Sequence, residues 1–302
     1  MSSMDISFVI VSYNTKELLN QTLTTLIDSF EEPMKYEIFV IDNRSSDGTI
    51  ELLQNDFPQV NLIINQNNEG YTRAMNMGLK LAQGKYLVQL NPDVEVLPNT
   101  FNQLFQWMEK NQQVGIGTPK VLNRDGSLQR QCRRSFARPW DVFTYFLGLD
   151  RLLPKNKFFG RYLMPYLPED DIAWVEAVSG SCMFVRKKVF EQIGFLDERF
   201  FAYQEDADFC FRANQAGWVV AYLPFARIFH YGGMGGSRNQ PFRAILAWHR
   251  SYYLYYKKNI AKEYLFLINW FMYFAMVIKL VFALIHALFS REKIVGTKKP
   301  GV

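Results

Sequence analysis

Three groups of side chains in this 302-residue chain have the types and spacing for chemistry on a phosphorylated ligand. The turn Leu90-Asn91-Pro92-Asp93 closes an apolar run with an acid, whose oxygens suit a divalent cation. Such a cation neutralises the charge that develops on a diphosphate leaving group. Glu205-Asp206-x-Asp208 opens an amphipathic segment. Acids in a first helical turn often only complement the helix dipole, but a carboxylate kept ionised there can also accept a proton from an attacking hydroxyl. His230, one of three histidines, precedes the glycine-rich stretch Gly232-Gly233-Met234-Gly235-Gly236-Ser237-Arg238, a setting better suited to metal or phosphate contact than to packing. That stretch lacks the spacing of a phosphate loop or a dinucleotide fingerprint.

Two further motifs are open to two readings each. Asp42 ends an apolar run and leads into Asn43-Arg44-Ser45-Ser46-Asp47-Gly48, either a ligand loop or a turn in which Asp47 caps the helix begun by Thr49. Asn68-x-Gly70-Tyr71-x-x-Ala74-x-Asn76-x-Gly78 sets small residues along one helix, for close approach to a ligand or for tight packing.

The elements that must position these residues alternate in period. Ile6–Ser12, Tyr36–Asp42, Val60–Asn65 and Lys85–Asn91 read as strands, separated by helical spacing such as Leu18, Leu19, Leu23, Leu26, Ile27 and Phe30, entered through Asn14 and Thr15. Strand and helix in alternation imply a mostly parallel sheet covered on both faces, with ligands beyond the strands' C-terminal ends. Tyr13, Asn14, Asp42, Asn68, Asn91 and Asp93 fall at those ends. From Pro119 to Asp171 the pattern is irregular around an Asn123-Arg124-Asp125-Gly126 turn, and reads as an acceptor-facing insertion. Strands return at Ala173–Val178, Cys182–Arg186, Trp218–Leu223 and Arg227–Tyr231, with a helix from Glu205.

Composition sets the broad class. With 49% hydrophobic and 21% charged residues the chain can bury a full core. The net charge of +5 is local, in Arg130, Arg133, Arg134 and Arg138 and in Lys257, Lys258 and Lys262, which favours anionic headgroups or diphosphates over nucleic acid. Cys132, Cys182 and Cys210 form neither a disulfide framework nor a zinc motif, as a reducing cytosol allows. Ile6–Val11 is too short for a secretory signal. Leu265–Phe289 is almost continuously apolar and long enough to span a bilayer, yet Asn269, Lys279 and His286 share one helical face within about 100°. Attachment to the cytoplasmic face is therefore expected ahead of a span, with Tyr252, Tyr253, Tyr255 and Tyr256 at headgroup level and Arg130, Arg133 and Arg134 rimming the acceptor site.

In order along the chain, Val11-Ser12-Tyr13-Asn14, Ile41-Asp42-Asn43-x-Ser45-x-Asp47-Gly48, Asn68-x-Gly70-Tyr71, Leu90-Asn91-Pro92-Asp93, Gly194-Phe195-Leu196-Asp197-Glu198 with Phe200-Phe201, and Glu205-Asp206-x-Asp208 resemble family 2 glycosyltransferases, especially the rhamnosyltransferase-like branch. The resemblance runs from about Ile6 to Arg238. It implies an α/β GT-A fold at 1–240, with a nucleotide-sugar half to about residue 118 and an acceptor half beyond it; the helical segment at 241–302, beyond the resemblance, is expected from its apolar run to associate with the membrane. The resemblance also implies that Asp42 reads a pyrimidine base, that Asp93 holds Mg2+ or Mn2+ with His230 as a further ligand, and that Asp206 is the base in an inverting transfer. Asn91 stands where many relatives carry Asp, which leaves the cation site one charge weaker. Ser12, Tyr13, Asn14, Asn68, Asn76, Asn91 and Arg238 are accordingly expected around the nucleotide sugar, and Glu205 on the acceptor side. The expected donor is dTDP-L-rhamnose or a UDP-hexose, and the expected acceptor a polyprenyl-diphosphate-linked sugar or glycan. A nucleotidyltransferase would need a glycine- and base-rich loop that Val9–Thr15 lacks, and a non-catalytic binding subunit would have no need of Asp206.

Overall fold

The computed structural model describes residues 4–31, 33–232 and 241–289. Its first half is built from β1 (Ile6–Ser12), α1 (Lys16–Asp28), β2 (Tyr36–Asp42), α2 (Thr49–Asp56), β3 (Asn61–Ile64), α3 (Tyr71–Leu81) and β4 (Tyr86–Leu90). All seven residues of β1 are buried, as expected of a central strand covered on both faces. Short strand β5 (Val94–Val96), α4 (Thr100–Lys110) and β6 (Val114–Leu122) follow. The second half adds β7 (Arg133–Arg134), α5 (Pro139–Phe146), α6 (Leu149–Leu152), β8 (Ala173–Val175), β9 (Ala177–Val178), β10 (Cys182–Arg186), α7 (Lys187–Ile193), α8 (Glu205–Gln215) and β11 (Val219–His230). Helices α9 (Pro241–Tyr255) and α10 (Phe266–Phe289) close the described chain.

The main sheet has the order β3-β2-β1-β4-β10-β6-β11-β5, with β8 on β11. Strands β1 to β4 are parallel, β10 inserts antiparallel between β4 and β6, and β11 returns parallel to β6. This is the mostly parallel GT-A sheet expected from the sequence. Ser12 pairs with Asp42 and Asp42 with Ile64, so the loops leaving β1, β2 and β3 emerge side by side.

Close packing explains the small residues of α3. A Cβ on Gly78 would lie 2.4 Å from Val9 and 2.7 Å from Ile41, so this helix rests directly on β1 and β2. Asn76, expected at the nucleotide, is instead buried, giving its amide N–H to Leu196 O (2.9 Å) and taking the Leu196 N–H (3.1 Å). It ties the Gly194-to-Glu198 loop to α3 and does not reach the strand ends.

Three segment assignments change. Trp218–Leu223 and Arg227–Tyr231 are one strand, β11, whose register slips between Leu223 and Arg227. Ala173–Val178 breaks at Glu176 into β8 and β9. Pro119 lies inside the fully buried β6 and does not begin an insertion.

Candidate active site

The loops after β1 and β2 are knitted by polar side chains. Asn14 adopts φ +53°; its Oδ1 accepts the Ser46 N–H (2.7 Å), and its own N–H reaches Ser45 Oγ (2.8 Å). Asp47 accepts the N–H groups of Lys16 (2.9 Å) and Thr49 (3.2 Å), so it clips the starts of α1 and α2 together. Ser12 is buried, its hydroxyl 3.0 Å from that of Thr15. Tyr13, Asn43, Arg44, Ser45, Ser46, Asn67 and Asn68 line a cleft of about 380 Å³. Asn68 also accepts the Gly70 N–H (3.0 Å). Asp42, at the head of this loop, is fully buried; one carboxylate oxygen takes the Ser45 N–H (2.7 Å), and the other has no protein partner. Burial pushes this carboxyl up. An unpartnered acceptor beside a polar cleft is what the imide N–H of a uracil or thymine would satisfy.

The strand ends of β4 and β11 meet at His230. Its Nδ1 lies 2.8 Å from Gln129 Oε1, an acceptor that fixes the orientation of the ring. Its Nε2 faces Asn91 Nδ2 (3.2 Å) and Asp93 Oδ1 (3.1 Å). A ring nitrogen this close to a carboxylate oxygen forms a pair that a proton or a cation can bridge. Among the described residues no three His, Cys, Asp or Glu side chains are arranged to hold a metal ion, so of these residue types Asp93 and His230 are the two at this corner.

A chain of contacts links this corner to the acids of α8. Tyr71 OH donates toward Asn91 Oδ1 (3.3 Å) and Gly180 O (3.4 Å). Burial, then Glu205 and Asp206 nearby, push its phenol well up, which keeps it a neutral donor. The Gly180 N–H bonds Asp206 Oδ2 (2.9 Å), while Asp206 Oδ1 takes the Ala207 N–H (2.6 Å) and an ion pair from Arg134 (2.8 Å). A Cβ at Gly180 would sit 2.6 Å from Gln89 Nε2 and displace that amide, which bonds Gly180 O (3.3 Å). Gly70 (φ +84°) is required, because a Cβ would meet the Phe201 ring at 2.6 Å. Glu205 is buried with Oε2 unpartnered, and burial, with Asp206 beside it, pushes its carboxyl up to about 8.

The arginines do not form the expected rim. Arg133 is buried, donating to Leu167 O (2.8 Å) and Pro168 O (2.7 Å) and stacking on Tyr222. Arg134 is buried against Asp206, and Arg130 alone stays partly open, 3.6 Å from Asp150. A carbonyl or carboxylate inside the fold claims each guanidinium that composition assigned to the surface. Lys258 is likewise committed, to Asp197 (2.8 Å) and Asp208 (2.6 Å), and Tyr252, Tyr255 and Tyr256 are buried, so of the four tyrosines only Tyr253 is exposed. Arg238 lies outside the described residues. Sequence reasoning missed Tyr71 OH, Gln89 and Gly180 as parts of the site; the signal present was a tyrosine immediately after the Asn68-x-Gly70 motif.

A GT-A sheet whose strand-end loops join a polar cleft, a carboxylate–histidine pair and a helix-borne acid defines a glycosyltransferase that uses a nucleotide-sugar donor. The chain belongs to glycosyl transferase family 2, whose sequence profile matches residues 7–194. Among curated relatives, an N-acetylglucosaminyl-diphospho-decaprenol L-rhamnosyltransferase of Mycobacterium tuberculosis is 28% identical over 82% of each chain. The low-salt glycan biosynthesis hexosyltransferase Agl10 of Haloferax volcanii is 29% identical over 70% of this chain and 62% of its own. Solved structures share the fold. The mannosyltransferase PcManGT of Pyrobaculum calidifontis, in complex with GDP-Man and Mn2+, has a TM-score of 0.56 at 16% identity over 83% of this chain. S. aureus TarS 1-349 in complex with UDP-GlcNAc has a TM-score of 0.56 at 15% identity, also over 83% of this chain. This chain spans 64% and 65% of those two chains.

Proposed function

We propose that this glycosyltransferase moves L-rhamnose from dTDP-L-rhamnose, with inversion, to a hydroxyl of a polyprenyl-diphosphate-linked sugar at the cytoplasmic face of the membrane. The observation that carries this reading is the unbroken line of contacts from Asn91 through Tyr71 and Gly180 to Asp206, which sets an acid next to the strand ends where the donor binds. The M. tuberculosis relative's name supports the sugar and the class of acceptor. UDP-hexoses are the competing donors, because Asp42 accepts from uracil as well as from thymine.

In this reading residues up to about 118 hold the nucleotide, residues to about 240 the acceptor, and the segment beyond attaches to the membrane. The free Asp42 oxygen takes the base N–H, and Tyr13, Asn14 and Asn68 line the nucleotide cleft. Asp93 and His230 fit a divalent cation, their facing donors 3.1 Å apart with Gln129 fixing the ring. When bound, Mg2+ or Mn2+ supplies positive charge to the departing diphosphate. Asp206 takes the acceptor hydroxyl's proton as the oxygen attacks the anomeric carbon and the carbon–diphosphate oxygen bond breaks. Arg134 and the Gly180 N–H hold its carboxylate in position. Glu205, buried beside it, shapes the acceptor side.

Nucleotide release by the purified chain in detergent, with dTDP-rhamnose, UDP-glucose, UDP-galactose and UDP-GlcNAc, with Mg2+ or EDTA, tests the assignment. Acceptor-dependent dTDP release that EDTA suppresses is expected. Release of UDP alone would overturn the donor.

A further inference from the structure

The C-terminal helix is not an isolated anchor. It lies antiparallel along α9: Tyr273 packs on Tyr253 and Tyr256 with ring centroids 5.3 and 5.7 Å apart, and Asn269 accepts from Tyr256 OH at 2.7 Å. Farther along, Lys279 Nζ sits 3.7 Å from the centroid of the Trp248 ring. Helix α9 and the turn after it are fixed to the catalytic fold, since Ser251 donates to Ala202 O (2.8 Å) and Asn259 to Asp208 (2.8 Å). A transbilayer α10 would drag α9, with its exposed Arg243 and Arg250, into hydrocarbon. The outward face of α10 is nevertheless apolar: Trp270 is 64% exposed, Val277 59% and Phe282 68%.

A second apolar surface adjoins it. On α5, α6 and the following loop, Phe143, Phe146, Leu147, Leu152 and Phe158 are exposed, Leu152 by 74%. The two surfaces meet where the Lys279 ammonium, already on Trp248, also lies 5.5 Å from the Phe146 ring centroid. Within the insertion, ahead of the exposed acids Glu169, Asp170 and Asp171, the charge pattern is one-sided. Between Val142 and Pro168 the sole acid is Asp150, which is buried, whereas Arg151, Lys155, Lys157 and Arg161 are exposed. From Tyr264 to Phe289 there is no acid at all.

We infer that the α5–α6 insertion and α10 together form one in-plane docking surface for an anionic lipid bilayer, with the apolar side chains entering the interface and the four bases meeting headgroup phosphates. This extends the membrane attachment proposed above and places the acceptor half of the enzyme on the bilayer.

Single cysteines at Leu152, Phe158, Trp270 and Val277 of the full chain, carrying an environment-sensitive fluorophore, test it directly. The native Cys132, Cys182 and Cys210 are buried and stay unlabelled. With vesicles of phosphatidylcholine containing about a third phosphatidylglycerol, all four probes should shift to the blue at similar, shallow depth. The double change Leu152→Asp and Phe158→Asp should lower vesicle partition by about tenfold or more while donor binding in detergent is unaltered. Replacing the anionic lipid with phosphatidylcholine should weaken binding about 10- to 100-fold. The inference is overturned if the Val277 probe shifts and those at Leu152 and Phe158 do not, which leaves attachment through α10 alone. A Val277 probe at the bilayer midplane also overturns it, by showing a span, as do shifts that need no vesicles and grow with protein concentration, by showing that a second copy covers the surface. None of these results bears on which sugar is transferred.

Discussion

The two halves of the catalytic fold hold their polar groups in opposite ways. Around the β1 and β2 loops the partners are neutral: Asn14 with Ser45 and Ser46, Asn43 with Asn65 and with Gly70 O, while the buried Asp42 keeps one oxygen free. Around α8 the partners are charged and internal: Arg134 with Asp206, Arg138 with Glu176 (2.7 Å), Lys258 and Arg212 with Asp208 (2.6 and 3.0 Å). A neutral lattice with one spare acceptor is ready for a ligand at little cost when empty. A buried ion pair is stable only while both partners are present. Substitutions should therefore damage affinity in the first half and stability in the second.

The largest effect that follows is at Arg134. Arg134→Gln should cost about 3–5 kcal/mol in urea unfolding, because it strands the Asp206 carboxylate; replacing both partners by apolar residues should cost much less. A small effect from the single change would break the contrast. On the other side, Asp42→Asn, which keeps an oxygen for the Ser45 N–H, should change the unfolding midpoint far less than Arg134→Gln yet weaken dTDP or UDP binding about 10- to 100-fold by calorimetry.

Glu205 sharpens the comparison through pH. A carboxyl that binds its proton more tightly folded than unfolded stabilises fully below its ordinary value of 4.5 and loses that contribution as pH rises to about 8. The melting temperature of Glu205→Gln should thus gain on the wild type as pH climbs through that window and level off above it; a constant difference would contradict the buried position. The smallest effect is expected at the exposed Arg73–Glu198 pair (3.7 Å), where Arg73→Ala should change stability by less than about 0.5 kcal/mol.

Strands β1, β2 and β10 and the start of α8 were legible to the residue because short runs dominated by apolar side chains and a first-turn acid cluster are local signals. Strand β6 was not, since Gly115, Gly117 and Pro119 interrupt it. Gly115 is small because Val189 and Trp218 would stand 2.8 and 2.9 Å from its Cβ, a reason found only in tertiary contact. The strand-end polar residues were readable for the same reason as the strands. The roles of the arginines were not, because composition carries no depth: Arg133 and Arg134 read as surface charge and lie inside. The α8 acids show the same limit, with Asp206 turned to Gly180 and Asp208 to the Lys258–Asn259 segment, two residues apart on one helix.

The measurement that bears most directly on the account is turnover and donor affinity of Asp206→Asn beside the wild type, in detergent, with a lipid-linked acceptor. Loss of kcat by about 10²- to 10⁴-fold with unchanged dTDP-rhamnose affinity is the predicted result. Near-normal turnover, or a loss fully explained by weaker donor binding, would contradict Asp206 as the group that takes the proton.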